Sequence, residues 1–298
     1  MRPVARRALA SVALVALAAG AGAAAPEREP APPAPARRVV SLNPSLTAIA
    51  VALGARDALV GVDSFSLRAE PAVAGLPAVG GLYNPSLEAV VALAPDLVVF
   101  VPTAEQRDFQ RTLEALGLPV LPFDPVAFDE VLAAIETLGA RLGRTAEART
   151  RVDAIRAARS RVEARAAGRP RPRAVLVLQR DPLYVVGRGS FVDEMLASAG
   201  VENAAREFSE PYPRVAREWL LGAAPELLLD ASDATGTEAA ARYWARWPSL
   251  PAVRAGRVVA LAPGAVTLPG PWLDRALDLL ADAVQGGARP PAAPDTAP

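Results

Sequence analysis

The side chains able to do chemistry are few in kind. The chain has no histidine and no cysteine, and Met195 is its single methionine after the first residue. Ser-His-Asp and Cys-His nucleophile systems are therefore impossible. Zinc and copper sites built on imidazole or thiolate are excluded on the same count. Catalysis would have to rest on paired carboxylates or on tyrosine. The acidic residues are scattered at helix termini and form no evident pair. A carboxylate-dependent hydrolase, the reading from a different class, would need two of them to converge in one pocket. Absence of reactive groups points instead to a protein that binds without turning its ligand over.

The elements that must position such a site lie behind an export segment. Arg2, Arg6 and Arg7 form a positive start, an apolar run covers Ala8 to Ala19, and Ala23-Ala24-Ala25 precedes Pro26. That order predicts a cleavable secretory signal over residues 1–25, shorter in its apolar part than the ~20 residues of a membrane span. The exported product is expected to be soluble and periplasmic. Without cysteine it cannot carry an N-terminal lipid, and its stability must come from its core alone. All 32 basic residues are arginine; removal of the leader's three leaves 29 against 32 Asp plus Glu. A near-neutral surface argues against nucleic acid or anionic lipid as the main partner. Residues 26–36 and 288–298 are Pro- and Ala-rich and read as a disordered leader and tail.

Between them, short apolar runs alternate with amphipathic helical stretches, the α/β signature. Arg38–Leu42, Leu97–Val101, Pro119–Pro122, Ala174–Leu178, Leu227–Leu229 and Val258–Leu261 read as buried parallel strands. The segment from Leu87 to Val99 recurs loosely from Arg217 to Leu229. In both, Glu is followed seven residues later by Pro, then an acid, then an apolar strand. A Ser-opened helix ending near Gly precedes each copy (Ser45 to Gly54, Ser190 to Gly200), and a helix and a strand ending near Pro122 or Pro263 follow. A shared order of elements predicts two similar α/β lobes, residues 37–125 and 169–287. Residues 126–168 read as a helical linker whose second helix starts at Thr145 and spans roughly 35 Å. Its Ala and Val residues suit packing along both lobes, and its arginines suit a solvated outer face.

Arg38-Val39-Val40-Ser41-Leu42-Asn43-Pro44-Ser45-Leu46-Thr47, Leu53-Gly54, Leu59-Val60-Gly61-Val62 and Leu87-Glu88 with Pro95-Asp96-Leu97-Val98 resemble the cobalamin and iron-chelate receptors of ABC importers. These are helical-backbone periplasmic binding proteins. The resemblance covers residues 37–285. It implies two α/β lobes joined by one long helix, with ligand in the cleft between them and delivery to a membrane permease dimer. Ala48 stands where the family often has Glu. Glu88 and Glu218 match the two glutamates, one per lobe, that the family presents to permease arginines, and two equivalent lobes would meet a two-fold permease through equivalent residues. Each acid could equally serve a helix N-terminus, with Asn84-Pro85 as cap and first-turn proline before Glu88.

In such a fold the ligand contacts come from loops after the strands. In the first lobe these hold Asp63, Phe65, Leu82, Tyr83 and the stretch Val101 to Thr103; in the second, Tyr184, Arg188, Tyr212, Arg214 and the stretch Pro263 to Gly270. Three of the four tyrosines fall in them. Rigid amphipathic rings suit a large flat or macrocyclic ligand. Arg180, Arg188 and Arg214 could meet the anionic groups of a ferric siderophore. Heme would need an oxygen ligand from tyrosine. Cobalamin needs no protein metal ligand and is the ligand expected, as cargo and not as a resident cofactor. A monomer is expected.

Overall fold

The computed structural model describes residues 34–102, 107–232 and 236–285. The predicted signal, residues 26–33 of the leader, Thr103 and the tail therefore lie outside the described residues.

The first half builds β1 (Val39–Ser41), α1 (Pro44–Ala52), β2 (Leu59–Val62), α2 (Ser64–Ala69), α3 (Leu87–Ala92), β3 (Leu97–Phe100), α4 (Arg107–Ala115) and β4 (Val120–Pro122). Its strands form one parallel sheet in the order β2-β1-β3-β4. Two helices follow, α5 (Phe128–Arg141) and α6 (Thr145–Ala166). The second half contains β5 (Arg173–Arg180), β6 (Leu183–Val185), α7 (Phe191–Ser198), β7 (Glu202–Asn203), α8 (Arg217–Ala223), β8 (Leu227–Asp230), α9 (Thr237–Trp244), α10 (Pro251–Arg254), β9 (Val258–Ala260) and α11 (Leu273–Gln285). Here β7, β8 and β9 continue a parallel sheet around β5, and β6 is added antiparallel.

The repeat reaches the level of single side chains. α1 and α7 open on the side-chain caps Asn43 and Ser190, each accepting a backbone N–H of the first turn (2.9 and 3.1 Å). The cap of α1 is thus Asn43 and not Ser45. Both helices are followed by a left-handed glycine, Gly54 (φ 69°) and Gly200 (φ 82°). α3 and α8 run into alanines of positive φ, Ala94 (43°) and Ala224 (45°), just before the repeated proline. The arginine opening the first strand of each lobe ties down that turn. Arg38 donates to the carbonyls of Ala94 (3.0 Å) and Leu93 (2.6 Å), and Arg173 to that of Ala223 (3.1 Å). The repeated acid returns the bond, Asp96 accepting from Arg37 and Arg38 N–H and Glu226 from Arg173 N–H.

Alternation along the strands sorts the apolar residues into layers. Val39, Leu97, Val99, Ala174, Leu176, Leu227 and Leu229 face one core that α1, α5, α6, α7 and α11 complete, so both lobes share it. Val40, Val98 and Phe100 face a second cluster under α3 and α4, and Val175, Val177 and Leu228 a third under α8 and α9. α6 is roughly 33 Å long and buries Ala148, Val152, Ile155, Ala158 and Val162. Its arginines are not merely a solvated face. Arg151, Arg161 and Arg165 pair with Asp274, Asp278 and Asp282 of α11, and Arg159 lies 3.6 Å from Glu194 of α7. The i, i+4 acids of α11 explain the ladder. Among the described residues no helix is long and apolar enough to cross a membrane.

Candidate functional site

In the first lobe the candidate residues come from two segments that touch. β2 runs into α2, and the chain then returns through a tight excursion from Gly80 to Pro85, which pair with each other. Ser64 N–H donates to Gly80 carbonyl at 2.9 Å and joins the two segments. Gly80 has φ 104°, and a Cβ there would meet Asn84 oxygen at 2.7 Å and Pro85 Cα at 2.8 Å, so the loop needs glycine. This places Phe65, in the first turn of α2, beside the loop carrying Leu82 and Tyr83. Phe65 and Tyr83 are exposed (42% and 66%). Arg68 stacks on the Phe65 ring with its guanidinium carbon 4.4 Å from the centroid.

Asp63 is not the ligand contact that its place in the loop suggests: it is fully buried and caps α2. Oδ1 accepts from Phe65 N–H (2.8 Å) and Ser66 N–H (3.0 Å), and Oδ2 takes the Ser66 hydroxyl. The Ser66 hydroxyl lies 2.9 Å from that of Thr47, which bonds Ser41 Oγ at 2.8 Å. This buried chain ties β1, α1 and α2 together, so Asp63 positions Phe65 from below.

In the second lobe the candidates share a ribbon. Val215 N–H donates to Leu183 carbonyl (2.9 Å), Val185 N–H to Pro213 carbonyl (3.2 Å) and Gly187 N–H to Pro211 carbonyl (2.8 Å). Residues 211–215 thus run antiparallel beside β6, with Tyr184 opposite Arg214. Opposed residues, and residues two apart, share a face of such a ladder. Leu183, Val185, Pro213 and Val215 are buried, whereas Tyr184, Tyr212 and Arg214 stand on the other, open face. Close approach requires Gly187, where a Cβ would lie 2.1 Å from Glu210 oxygen. The Tyr212 ring is 40% exposed, but its hydroxyl end reaches the fully buried Ser190, the cap of α7, and desolvation there pushes the phenol up to about 12 despite the hydrogen bond to Ser190. It is a neutral hydrogen-bonding group at any physiological pH.

Of the three arginines, Arg214 is exposed on that face. Arg188 is exposed too, but its Nε donates to Arg206 carbonyl at 2.7 Å. Arg206 is itself 3.3 Å from the buried Asp193. Arg180 is committed to the fully buried Asp230 at 2.9 Å. Asp230 also accepts from Trp244 Nε1 (2.5 Å) and from Ser232. Arg180 and Arg246 both stack on Tyr243, their guanidinium carbons 4.5 and 4.1 Å from its centroid, and Tyr243 packs on Trp244 and Trp247. This cluster borders the C-terminal ends of β5 and β8, and its one signal in the sequence is the aromatic density of Tyr243-Trp244-Ala245-Arg246-Trp247. The buried carboxylates Asp63, Asp193 and Asp230 sit in three separate networks. In the loop from Pro263 to Gly270, Gly264 N–H donates to Thr267 Oγ1 at 3.1 Å and Val266 is buried.

Glu88 and Glu218 occupy equivalent first-turn positions of α3 and α8, and both are exposed. The cap of α3 is Ser86, whose Oγ accepts from Ala89 N–H at 3.2 Å, and not Asn84.

Two α/β lobes of one repeated plan, sharing a core through a long helix and carrying aromatic loops at their strand ends, define a two-lobed ligand-binding protein. A family model described as periplasmic binding protein matches residues 39–265, and the chain belongs to that family. It is 28% identical over 218 residues to the vitamin B12-binding protein of Salmonella choleraesuis, covering 73% of this chain and 81% of the relative. A periplasmic heme-binding protein of Pseudomonas aeruginosa is similar with a TM-score of 0.71 and 29% identity, over 87% of this chain and 96% of that one. The periplasmic vitamin B12-binding protein of Vibrio cholerae shares the fold with a TM-score of 0.73 and 24% identity, over 84% of this chain and 97% of that one.

Proposed function

We propose that this protein is exported to the periplasm and serves as the receptor of an ABC importer, capturing cobalamin or another corrinoid between its lobes. The observation that carries this reading is the ribbon face bearing Tyr184, Tyr212 and Arg214. Two ring systems beside a guanidinium offer stacking area and hydrogen bonds to a large macrocycle and its amide and phosphate groups. Phe65, Leu82 and Tyr83 supply the apolar counterpart from the first lobe. The macrocycle brings its own metal, and no protein ligand to that metal is required. Delivery follows through Glu88 and Glu218, each meeting one half of a two-fold permease. The protein acts as a monomer and catalyses no reaction.

The similarity to a heme-binding protein favours a second reading in which a tyrosine oxygen ligates iron. Tyr212, neutral and bonded to Ser190, is poorly suited to that role; the exposed Tyr83 would be the ligand. Absorbance titration of the purified protein separates the readings. Cyanocobalamin is expected to bind one to one and hemin weakly, without a tyrosinate charge-transfer band. Tight hemin binding with that band, abolished in Tyr83→Phe, would establish heme instead. Failure to bind either would end the tetrapyrrole reading.

A further inference from the structure

Six large apolar side chains are exposed among the described residues: Phe65, Tyr83, Val91, Leu116, Tyr212 and Leu221. Three of them belong to the ligand faces. Val91 and Leu221 are the same position in the two copies of the repeat, the fifth residue of α3 and of α8, and are 42% and 38% exposed. Each lies three residues after a glutamate, Glu88 or Glu218, and i, i+3 residues share a helix face. The neighbouring Val90 and Leu220 are buried, so each helix spends one apolar residue on the core and shows the next to solvent. Both helices end in an alanine of positive φ, a strained conformation for a residue with a Cβ. Both ends are held by an arginine at the entry to the first strand of their lobe. The two patches are therefore alike in chemistry, related by the repeat and carried on helices whose ends are tied down in the same way.

We propose that Val91 and Leu221 form the apolar half of a duplicated docking patch. Its occupant is a two-fold symmetric permease presenting, at two equivalent places, a cation for the glutamate beside an apolar pocket for Val91 or Leu221. The acid supplies charge complementarity and the apolar residue the desolvated contact that makes such a charge pair effective. This rests on the permease reading of Glu88 and Glu218 and adds the residues that give the contact its apolar area.

The test uses the mature protein and the permease–ATPase complex of the same bacterium's corrinoid importer in nanodiscs, with binding read by interferometry. Val91→Ser and Leu221→Ser should each weaken docking about tenfold, and to a similar degree, while the double variant loses about a hundredfold. Leu116→Ser, exposed but away from α3 and α8 and from either glutamate, should dock like the parent. Cyanocobalamin affinity and melting temperature should be unchanged in all of them; should a serine variant melt early, Val91→Ala and Leu221→Ala replace it. Serine variants that dock like Leu116→Ser while Glu88→Ala and Glu218→Ala fail would overturn the apolar patch and leave glutamate docking standing. Glutamate variants that dock normally would remove the underlying reading as well.

Discussion

Replacing Asp63 by alanine distinguishes a buried cap from a ligand contact. Its carboxylate accepts two backbone N–H groups of α2 and the Ser66 hydroxyl, with no exposed surface. Losing a side-chain cap costs about 1 kcal/mol, within a range of about 0.5–2. Leaving the buried Ser66 hydroxyl and its chain to Thr47 and Ser41 short of an acceptor adds about 1–3 kcal/mol. The sum is about 2–4 kcal/mol, or a fall in melting temperature of roughly 5–15 °C for a domain of this size. Asp63→Ser, which keeps a capping oxygen, should recover about half of the loss. Thermal and urea denaturation give the stability, and titration calorimetry with cyanocobalamin gives the affinity. Since Asp63 acts only through the placement of Phe65, affinity should fall less than about tenfold. An alanine variant that melts with the parent but binds a hundredfold more weakly would refute the capping account.

Further outcomes follow from other groups. Alkaline difference spectroscopy should find one tyrosine ionising near 12, absent in Tyr212→Phe. A phenol whose native value lies above its unfolded value of about 10 contributes stability that is complete below pH 10 and lost as pH rises toward 12. Gly187→Ala drives a Cβ into Glu210 oxygen and should part residues 211–215 from β6, lowering stability by about 1–3 kcal/mol and weakening ligand binding, as read by melting and calorimetry. Ala94→Gly and Ala224→Gly relieve positive φ values at the expense of unfolded-chain entropy. Each should leave stability unchanged or raise it by up to about 1 kcal/mol in urea denaturation.

Much of this architecture is legible because it repeats. The six predicted strand runs all hold strands, and the Glu-to-Pro interval of seven residues locates α3 and α8 together with the turns that end them. β6 is too short, at three residues, to show a period, and its partnership with residues 211–215 is a contact some 30 residues away that no local pattern records. The acid ladder on α11 is more than 110 residues from the arginines of α6, so those arginines read as solvated. Asp63 is ambiguous in the sequence for a different reason. An acid before Ser-Phe-Ser is both a helix cap and a polar loop residue, and only its burial decides between them. The Arg180–Asp230 pair joins the ends of two adjacent strands, so the commitment of Arg180 is visible only once β5 and β8 are seen to pair.

On the proposed function, a macrocyclic ligand is held between the ribbon face of Tyr184, Tyr212 and Arg214 and the loop pair of Phe65, Leu82 and Tyr83. A crystal structure of the purified protein soaked or co-crystallised with cyanocobalamin would locate it. One corrinoid is expected between the lobes, with rings from both sets within van der Waals contact and Arg214 within hydrogen-bond reach of the ligand. Corrinoid density elsewhere on the molecule, or contacts that omit the second-lobe ribbon, would contradict it.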